Sequence, residues 1–382
     1  MISFGPMSIT LLIGALYGVL FAVLLWFTRT NTLANRFLAL LMLAFVLRMV
    51  PCIIGYAGFY DNYLWLSFMP YNVSLAFGPL LYLSVRLLSM PSLPRGWWWH
   101  FVPVAIQIGY YCVMFVQPLS FKNEWNDSVH EPIIDRIELS VTFYSIAMYW
   151  YYSLVHHRQY QRWLAANVSQ AEDNRIEWVR NFLLAFAVTV ALWLGFVLFD
   201  QFGAKLNYFH RFPFYVWLGV LLYYLGTEGY RHARHRYPVW DEPIRYAGLL
   251  AAEGEPYVSS PSTREVLDIN ARAEKWRVQL VTAQWWRDTE LTLSSLARKL
   301  GTNTTDLSRA INEGMGMNFN ELINRLRVEE VKRVLSNAGV ASEQNLLDVA
   351  FAAGFSSKAS FNRCFKLYTG QTPTEFRNSL ST

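Results

Sequence analysis

The sequence predicts an all-α chain in two parts: a bundle of seven membrane-crossing helices, then a cytoplasmic pair of helix-turn-helix units. Three observations carry this prediction. Charged residues are sparse up to Tyr230 and frequent after it. Seven stretches before that point hold roughly the 20 apolar residues that a bilayer crossing needs. After it, a helix-turn-helix pattern occurs twice at nearly constant spacing.

The apolar stretches are residues 8–28, 37–58, 63–85, 97–119, 137–155, 181–199 and 212–229. The first is not preceded by charge or followed by a small-residue cleavage site, so it reads as a retained span. The third contains Pro70, Asn72 and Pro79 and is the least regular. Fifteen Trp and 22 Tyr suit a chain with many membrane–water boundaries, where amphipathic rings settle. The run Trp97–Trp99 with His100 reads as such an anchor rather than a metal site. His156 and His157, beside Arg158, read as a solvated basic flank.

Lys and Arg in the connections set the orientation. One set of connections carries Arg29, Arg36, Arg86, Arg95, Arg158, Arg162, Arg175, Arg180, Arg231, Arg234 and Arg236. The alternate set carries only Lys122, Arg136, Lys205 and Arg211. The cationic set belongs in the cytoplasm, so the N-terminus faces out and the C-terminus in. A cytoplasmic membrane, with the C-terminal part on its inner side, is the expected location.

Polar residues deep in the spans are candidate site residues. Arg48 lies about 11 residues, or roughly 16 Å, into the second span. Asn72 and Gln107 reach similar depths, near the middle of a core about 30 Å thick. A guanidinium there must face water or the bundle interior. Arg48 as anion anchor, with Asn72 and Gln107 as hydrogen-bonding partners, would make a signal pocket. The same three could instead form an internal network that locks helices together. Glu138 and Asp200 fall near the outer boundary and read as ordinary interfacial carboxylates.

Residues 1–230 are thus a membrane domain, 231–263 a Pro-, Gly-, Ser- and acid-rich linker, and 264–382 a terminal domain. From 264 to 287, Val266, Ile269, Ala273, Trp276 and Leu280 recur at helical steps, as the first helix of that domain would. "LARKLGTNTTDLSRAIN" (296–312) then aligns with "VAFAAGFSSKASFNRCFK" (349–366). Ala297 matches Ala350 and Gly301 matches Gly354. After a one-residue shift, Leu307 matches Phe361, Arg309 matches Arg363 and Ile311 matches Phe365. The small Ala lets two helices cross closely, and Gly permits the left-handed backbone of the turn. The two units span about 293–313 and 346–368. "NFNELINRLRVEEVKRVL" (318–335) joins them, with Phe319, Leu322, Ile323, Leu326, Val331, Val334 and Leu335 turned to a common core. A rigid connector can set the separation of about 34 Å that two recognition helices need on one face of DNA.

These stretches, above all "DVAFAAGFSSKASFNRCFKLYTGQTPTEFR", resemble the AraC/XylS family of transcriptional regulators over about residues 275–380. The chain looks like the branch with a multi-span N-terminal domain. The resemblance implies sequence-specific promoter binding, with base readers on the exposed faces of the second helix of each unit. These are Thr305, Ser308 and Arg309 in the first, and Lys358, Asn362 and Arg363 in the second. Lys366, Arg377 and the helix terminus at Thr372 would contact phosphates. Residues 264–382 hold 16 Lys/Arg against 13 Asp/Glu, an excess that implies weak nonspecific binding.

The two halves together point to a one-component switch whose partners are promoter DNA, the lipid bilayer, and an unknown effector or membrane partner. A second copy of the chain, as a homodimer, and RNA polymerase complete the expected partners. Two alternatives stand beside it: a membrane anchor or scaffold set by a partner membrane protein, and a transporter with an attached DNA-binding regulator. No glycine-rich nucleotide loop, metal-spaced His/Cys cluster or deep carboxylate pair is present, so neither an enzyme nor a cofactor is expected. Three scattered cysteines, Cys52, Cys112 and Cys364, form no disulfide framework. The first two are expected as buried free thiols.

Overall fold

The computed structural model describes residues 2–169, 176–201, 208–240, 263–336 and 345–380. They divide into two compact units. One comprises residues 1–158 and 176–239, the other 159–175 and 240–382. Among the described residues the regular structure is all helical, save one isolated bridge between Val168 and Thr292. Most of the expected linker, 241–262, lies outside the described residues.

The first unit is built on helices α1 (Pro6–Trp26), α2 (Thr32–Tyr56), α3 (Phe77–Ser89), α4 (Val102–Phe115), the first two-thirds of α5 (Asp135–Asn167), α6 (Glu177–Gln201) and α7 (Phe212–His232). In α1, Leu11, Ala15, Gly18, Ala22 and Leu25 fall at three- and four-residue steps and are buried. Ile9, Ile13, Leu16 and Leu20 stand exposed on the opposite side. The buried stripe packs on α2 and α7. Small residues make that contact close. A Cβ on Gly14 would lie 3.3 Å from the Gly219 Cα, and one on Gly226 would lie 2.8 Å from the Phe21 ring. Such seams substitute for hydrophobic driving force where the surroundings are themselves apolar.

Three of these helices are long and apolar enough to cross a membrane: α1, α2 and, within α6, Glu177–Asp200. The expected count of seven is therefore not clearly met. Helices α3 and α4, at 13 and 14 residues, are shorter than a crossing requires. Helices α5 and α7 have the length, at 33 and 21 residues, but carry charged and polar side chains within it. The third expected span, 63–85, is not one helix. It runs through short turns at Leu64–Leu66 and Ser74–Ala76, and Phe68 adopts a left-handed backbone with φ 62°. Pro70 lacks the N–H that a continuous helix would use there.

Other expectations in this unit need correction. His156 and His157 are not a solvated flank: His156 Nε2 lies 2.7 Å from Ser89 Oγ, and His157 is buried. His100 joins Tyr149 through a 2.7 Å hydrogen bond, which fixes the tryptophan-rich turn Trp97–Phe101 to α5. None of the three cysteines forms a disulfide; Cys52 and Cys364 are buried, and Cys112 is exposed.

The second unit contains α8 (Thr263–Thr282), α9 (Leu293–Leu300), α10 (Thr304–Arg309), α11 (Phe319–Ser336), α12 (Leu346–Ala352), α13 (Lys358–Thr369) and α14 (Pro373–Ser379). One core joins them, centred on Leu296, Leu307, Ile323, Val331, Phe355, Phe361 and Phe365. The unit also takes in the end of α5, and its C-terminal stretch begins with α8. Its Ile269, Ala273 and Leu280 are buried, and Ala273 meets Gly314 so closely that a Cβ there would lie 2.7 Å away.

Local side chains set most of the helix starts in this unit. Thr292 and Ser295 form a reciprocal capping box for α9. Asn303 accepts from Asp306 N to start α10, and Ser357 accepts from Ser360 N to start α13. Such caps satisfy amide groups that would otherwise be orphaned. The paired glycines do what their spacing predicts. Gly301 has φ 68° and Gly354 φ 92°, each at the turn of its unit.

Candidate nucleic-acid interface and first-unit cavity

Helices α10 and α13 are held by the residues that the repeat pairs. Ala297 and Ala350 are buried at the crossings. Leu307 and Ile311, and Phe361 and Phe365, face the core. The opposite faces carry the candidate base readers. Thr305, Arg309, Lys358, Asn362 and Arg363 are exposed, and Ser308 is half-buried. Arg309 is drawn along its own helix by Glu313, at 3.0 Å, and Ser308 Oγ accepts from Asn312 at 3.2 Å. The first face is therefore partly engaged with itself. Helix α10 is also short, six residues that widen into a looser turn at Ala310–Gly314. Helix α13 is the longer platform, at 12 residues.

Among the candidate phosphate contacts, Lys366 is exposed at the end of α13, and Arg377 is half-buried in α14. The Thr372 hydroxyl accepts from Glu375 N, and Glu375 Oε2 accepts from Thr372 N. These bonds hold the Glu375 carboxyl below its ordinary pKa. Thr372 thus sets the start of α14 through its side chain.

Nothing in the local pattern marks Arg327, which is fully buried on α11. Its Nε donates to the Trp286 carbonyl at 2.9 Å, and Nη2 donates to the Asp288 carbonyl at 2.8 Å and to Ser169 Oγ at 3.2 Å. Burial pushes its pKa down to about 10, so it remains a cation at neutral pH. Ser169 and Val168 belong to this same unit and are themselves buried. Asn320 donates to the Val168 carbonyl at 2.7 Å, Asn324 to the Ser169 carbonyl at 3.2 Å, and Ser169 N to the Leu291 carbonyl at 3.4 Å. The end of α5 is thereby clamped on the connector between the two helix-turn-helix units.

In the first unit, the structure brings Arg48 and Asn72 to the wall of one cavity of about 160 Å³. Gln107 does not line it but joins it through Glu138, whose Oε1 accepts from Gln107 Nε2 at 2.8 Å and also from Asn72 Nδ2. Tyr111 donates to Glu138 Oε2 at 3.0 Å. Ser74 extends the network, accepting from Gln107 at 3.3 Å and meeting Thr142 Oγ1 at 3.3 Å. Glu138 is the hub of this network rather than the interfacial carboxylate expected. Asp200 also lines the cavity, ion-paired with Arg211 at 2.9 Å. The Arg48 guanidinium lies over the Trp193 ring, 5.7 Å from its centroid. Among the described residues, no metal-binding group of His, Cys, Asp and Glu occurs.

Two helix-turn-helix units on one core, each with an exposed polar second helix, define a DNA-binding domain of the AraC type. A family model described as a helix-turn-helix domain matches residues 296–379. Over 88 residues the chain is 36% identical to an uncharacterized HTH-type transcriptional regulator of Staphylococcus aureus strain COL. The match covers 23% of this chain and 11% of that protein. The counterpart in strain N315 is equally similar. Over 105 residues the chain is 29% identical to the probable transcription factor PqrA of Proteus vulgaris, covering 28% of this chain and 80% of PqrA. No solved structure matches.

Proposed function

We propose that the chain is a membrane-bound, one-component transcriptional regulator that binds promoter DNA sequence-specifically in response to a membrane or extracytoplasmic signal. One observation carries the reading: the AraC-type domain shares a chain with helices whose outer faces are apolar along their length. Leu184, Val188, Leu192, Leu198 and Phe199 of α6, like the outer face of α1, are exposed and demand a lipid-like solvent.

Seven crossings with the N-terminus outside remain the arrangement that suits the Lys/Arg distribution. Helix α3 would then cross together with the turns before it. Non-helical backbone is tolerated at membrane depth when protein covers it, and Val73, Ser74 and Ala76 are buried. The bacterial inner membrane, with the C-terminal domain in the cytoplasm, follows from that orientation.

Base reading falls to Thr305, Ser308 and Arg309 of the first unit and to Lys358, Asn362 and Arg363 of the second. The longer, more open α13 supplies more of the discrimination. Lys366, Arg377 and the α14 start contact phosphates. The cavity with Arg48, Asn72 and the Gln107–Glu138 network receives the signal. An effector shifts the switch only by binding its two arrangements unequally. A homodimer supplies the paired sites that the weakly basic domain needs, and RNA polymerase is the downstream partner.

The test is genome-wide occupancy of full-length tagged protein, with membrane fractionation of the same cells. A few discrete promoters together with membrane recovery are expected. Diffuse occupancy would refute promoter regulation, and recovery in the soluble fraction would refute membrane residence.

A further inference from the structure

Five exposed arginines of the first unit meet at one corner of it. Arg29 lies on the turn between α1 and α2, and Arg36 one turn into α2. Arg231, Arg234 and Arg236 lie at the end of α7 and just beyond it. Side-chain amides fasten the two segments together. Asn31 Nδ2 donates to the His235 carbonyl at 2.7 Å, and Asn35 Nδ2 to the Ala233 carbonyl at 3.2 Å. Arg231 reaches Glu228 at 3.4 Å, and Arg36 lies over the Trp26 ring, 5.3 Å from its centroid. The guanidiniums of Arg29, Arg234 and Arg236 have neither hydrogen bond nor ion pair among the described residues. Trp178 at the start of α6 stacks on His232, which adds Glu177 and Arg180 of the same helical turn. Among the described residues, six arginines thus stand against two carboxylates, Glu177 and Glu228. Asp241 and Glu242 follow in the sequence, outside the described residues, and would still leave cations in excess.

We propose that this corner binds the headgroups of anionic phospholipids. A cluster of basic side chains at the end of membrane-crossing helices attracts anionic lipid from the adjoining leaflet. The strong cations here are all arginines, and a guanidinium fork takes two phosphate oxygens at once. Trp26 and Phe27 are exposed at the end of α1, next to Arg29. Large rings settle at the membrane–water boundary, so they set the arginines at the level of lipid phosphates rather than out in solvent, where DNA would be met. The exposed apolar side of α1, with Leu16, Leu20 and Leu24, leads up to the same point. A lipid held by its phosphate therefore has a surface for its chains. The linker to the DNA-binding domain begins within this cluster, at Arg231, so bound headgroups hold its root at the membrane. The proposal rests on the membrane reading above and names the lipid chemistry that the corner selects.

The test is native mass spectrometry of the full-length protein, released from micelles that hold equal amounts of dioleoylphosphatidylglycerol and dioleoylphosphatidylcholine. The two lipids share their chains and their phosphate and differ in net charge. The wild type is expected to retain the glycerol lipid at least about fivefold over the choline lipid. Replacing Arg29, Arg36, Arg234 and Arg236 together with Gln should remove most of that preference, and replacing them with Lys should keep part of it. Should the fourfold Gln variant unfold, Arg234→Gln with Arg236→Gln, both outside the helices, should still lower the preference measurably. Equal retention of the two lipids by the wild type, or a preference that the Gln variants leave unchanged, would overturn the proposal. A variant that keeps the lipid preference but loses affinity for random-sequence DNA would assign the corner to DNA instead. Fractionation of the same cells separates the two failures. Protein in the membrane without a lipid preference removes the headgroup site alone, and protein in the soluble fraction removes the membrane reading with it.

Discussion

The two repeat glycines occupy equivalent turns but different surroundings, and the difference has a measurable consequence. Gly301 has φ 68° and open space where a Cβ would go. Gly301→Ala then costs only the left-handed backbone, about 1–2 kcal/mol. Gly354 has φ 92°, and its Cβ would stand 2.6 Å from the Arg287 carbonyl oxygen and 2.9 Å from the Arg287 Cα. Backbone atoms cannot swing aside as a side chain would. Gly354→Ala adds an overpacking cost of about 1–3 kcal/mol, for a total of about 2–5. Pulse proteolysis of the full-length protein across a urea series, followed with a C-terminal epitope, reads the stability of the second unit. The expected order is wild type, then Gly301→Ala, then Gly354→Ala. Equal losses at the two turns would refute the assignment of the larger cost to the Arg287 contact.

Four further outcomes are expected. Phe361→Ala removes a fully buried ring from the shared core and should cost about 3–5 kcal/mol in the same assay. Asn362→Ala, on the exposed face of α13, should leave the helical circular dichroism unchanged and relax discrimination at one base position by about 1–3 kcal/mol, read by competition with operator variants. Glu330 is held below the ordinary carboxylate pKa, first by its hydrogen bond to Arg333, then by Arg287. A depressed folded pKa gives stability that is present above the unfolded value of about 4.3 and lost as pH falls through the folded value. Glu330→Gln should therefore flatten the stability–pH curve below about pH 4.3, and an unchanged slope would sink this account. Replacing Asn320 and Asn324 together with Ala should speed hydrogen exchange at the Ser169 amide, and unchanged exchange would mean that the clamp does not depend on α11.

The repeat was legible because its determinants are local. Gly301, Gly354, the capping residues and the four-residue apolar steps Leu307/Ile311 and Phe361/Phe365 each act within one turn or one helix. The roles of Glu138 and Arg327 were not legible, because each draws its partners from segments far apart in sequence. Glu138 meets residues from the turn before α3 and from α4, and Arg327 meets carbonyls at 286 and 288 and a hydroxyl at 169. Hydropathy marked Arg48 and Asn72 as unusual, but only tertiary packing brought them to one cavity. The irregular third span shows the same limit from the other side. Its proline content was visible, while the left-handed backbone at Phe68 depends on what surrounds it.

The clamp on α11 also sets a schedule for biosynthesis. Val168 and its partner Asn320 are 152 residues apart, and α6 and α7 are made in between. At roughly 5–20 residues per second, the end of α5 waits about 8–30 s for the surface it will bind. During that interval the Val168 and Ser169 carbonyls lack Asn320 and Asn324 as donors. The ribosome delivers the DNA-binding unit in two instalments, and a nascent chain stalled between them would already hold helices α1–α7 while the second unit had only its first strap.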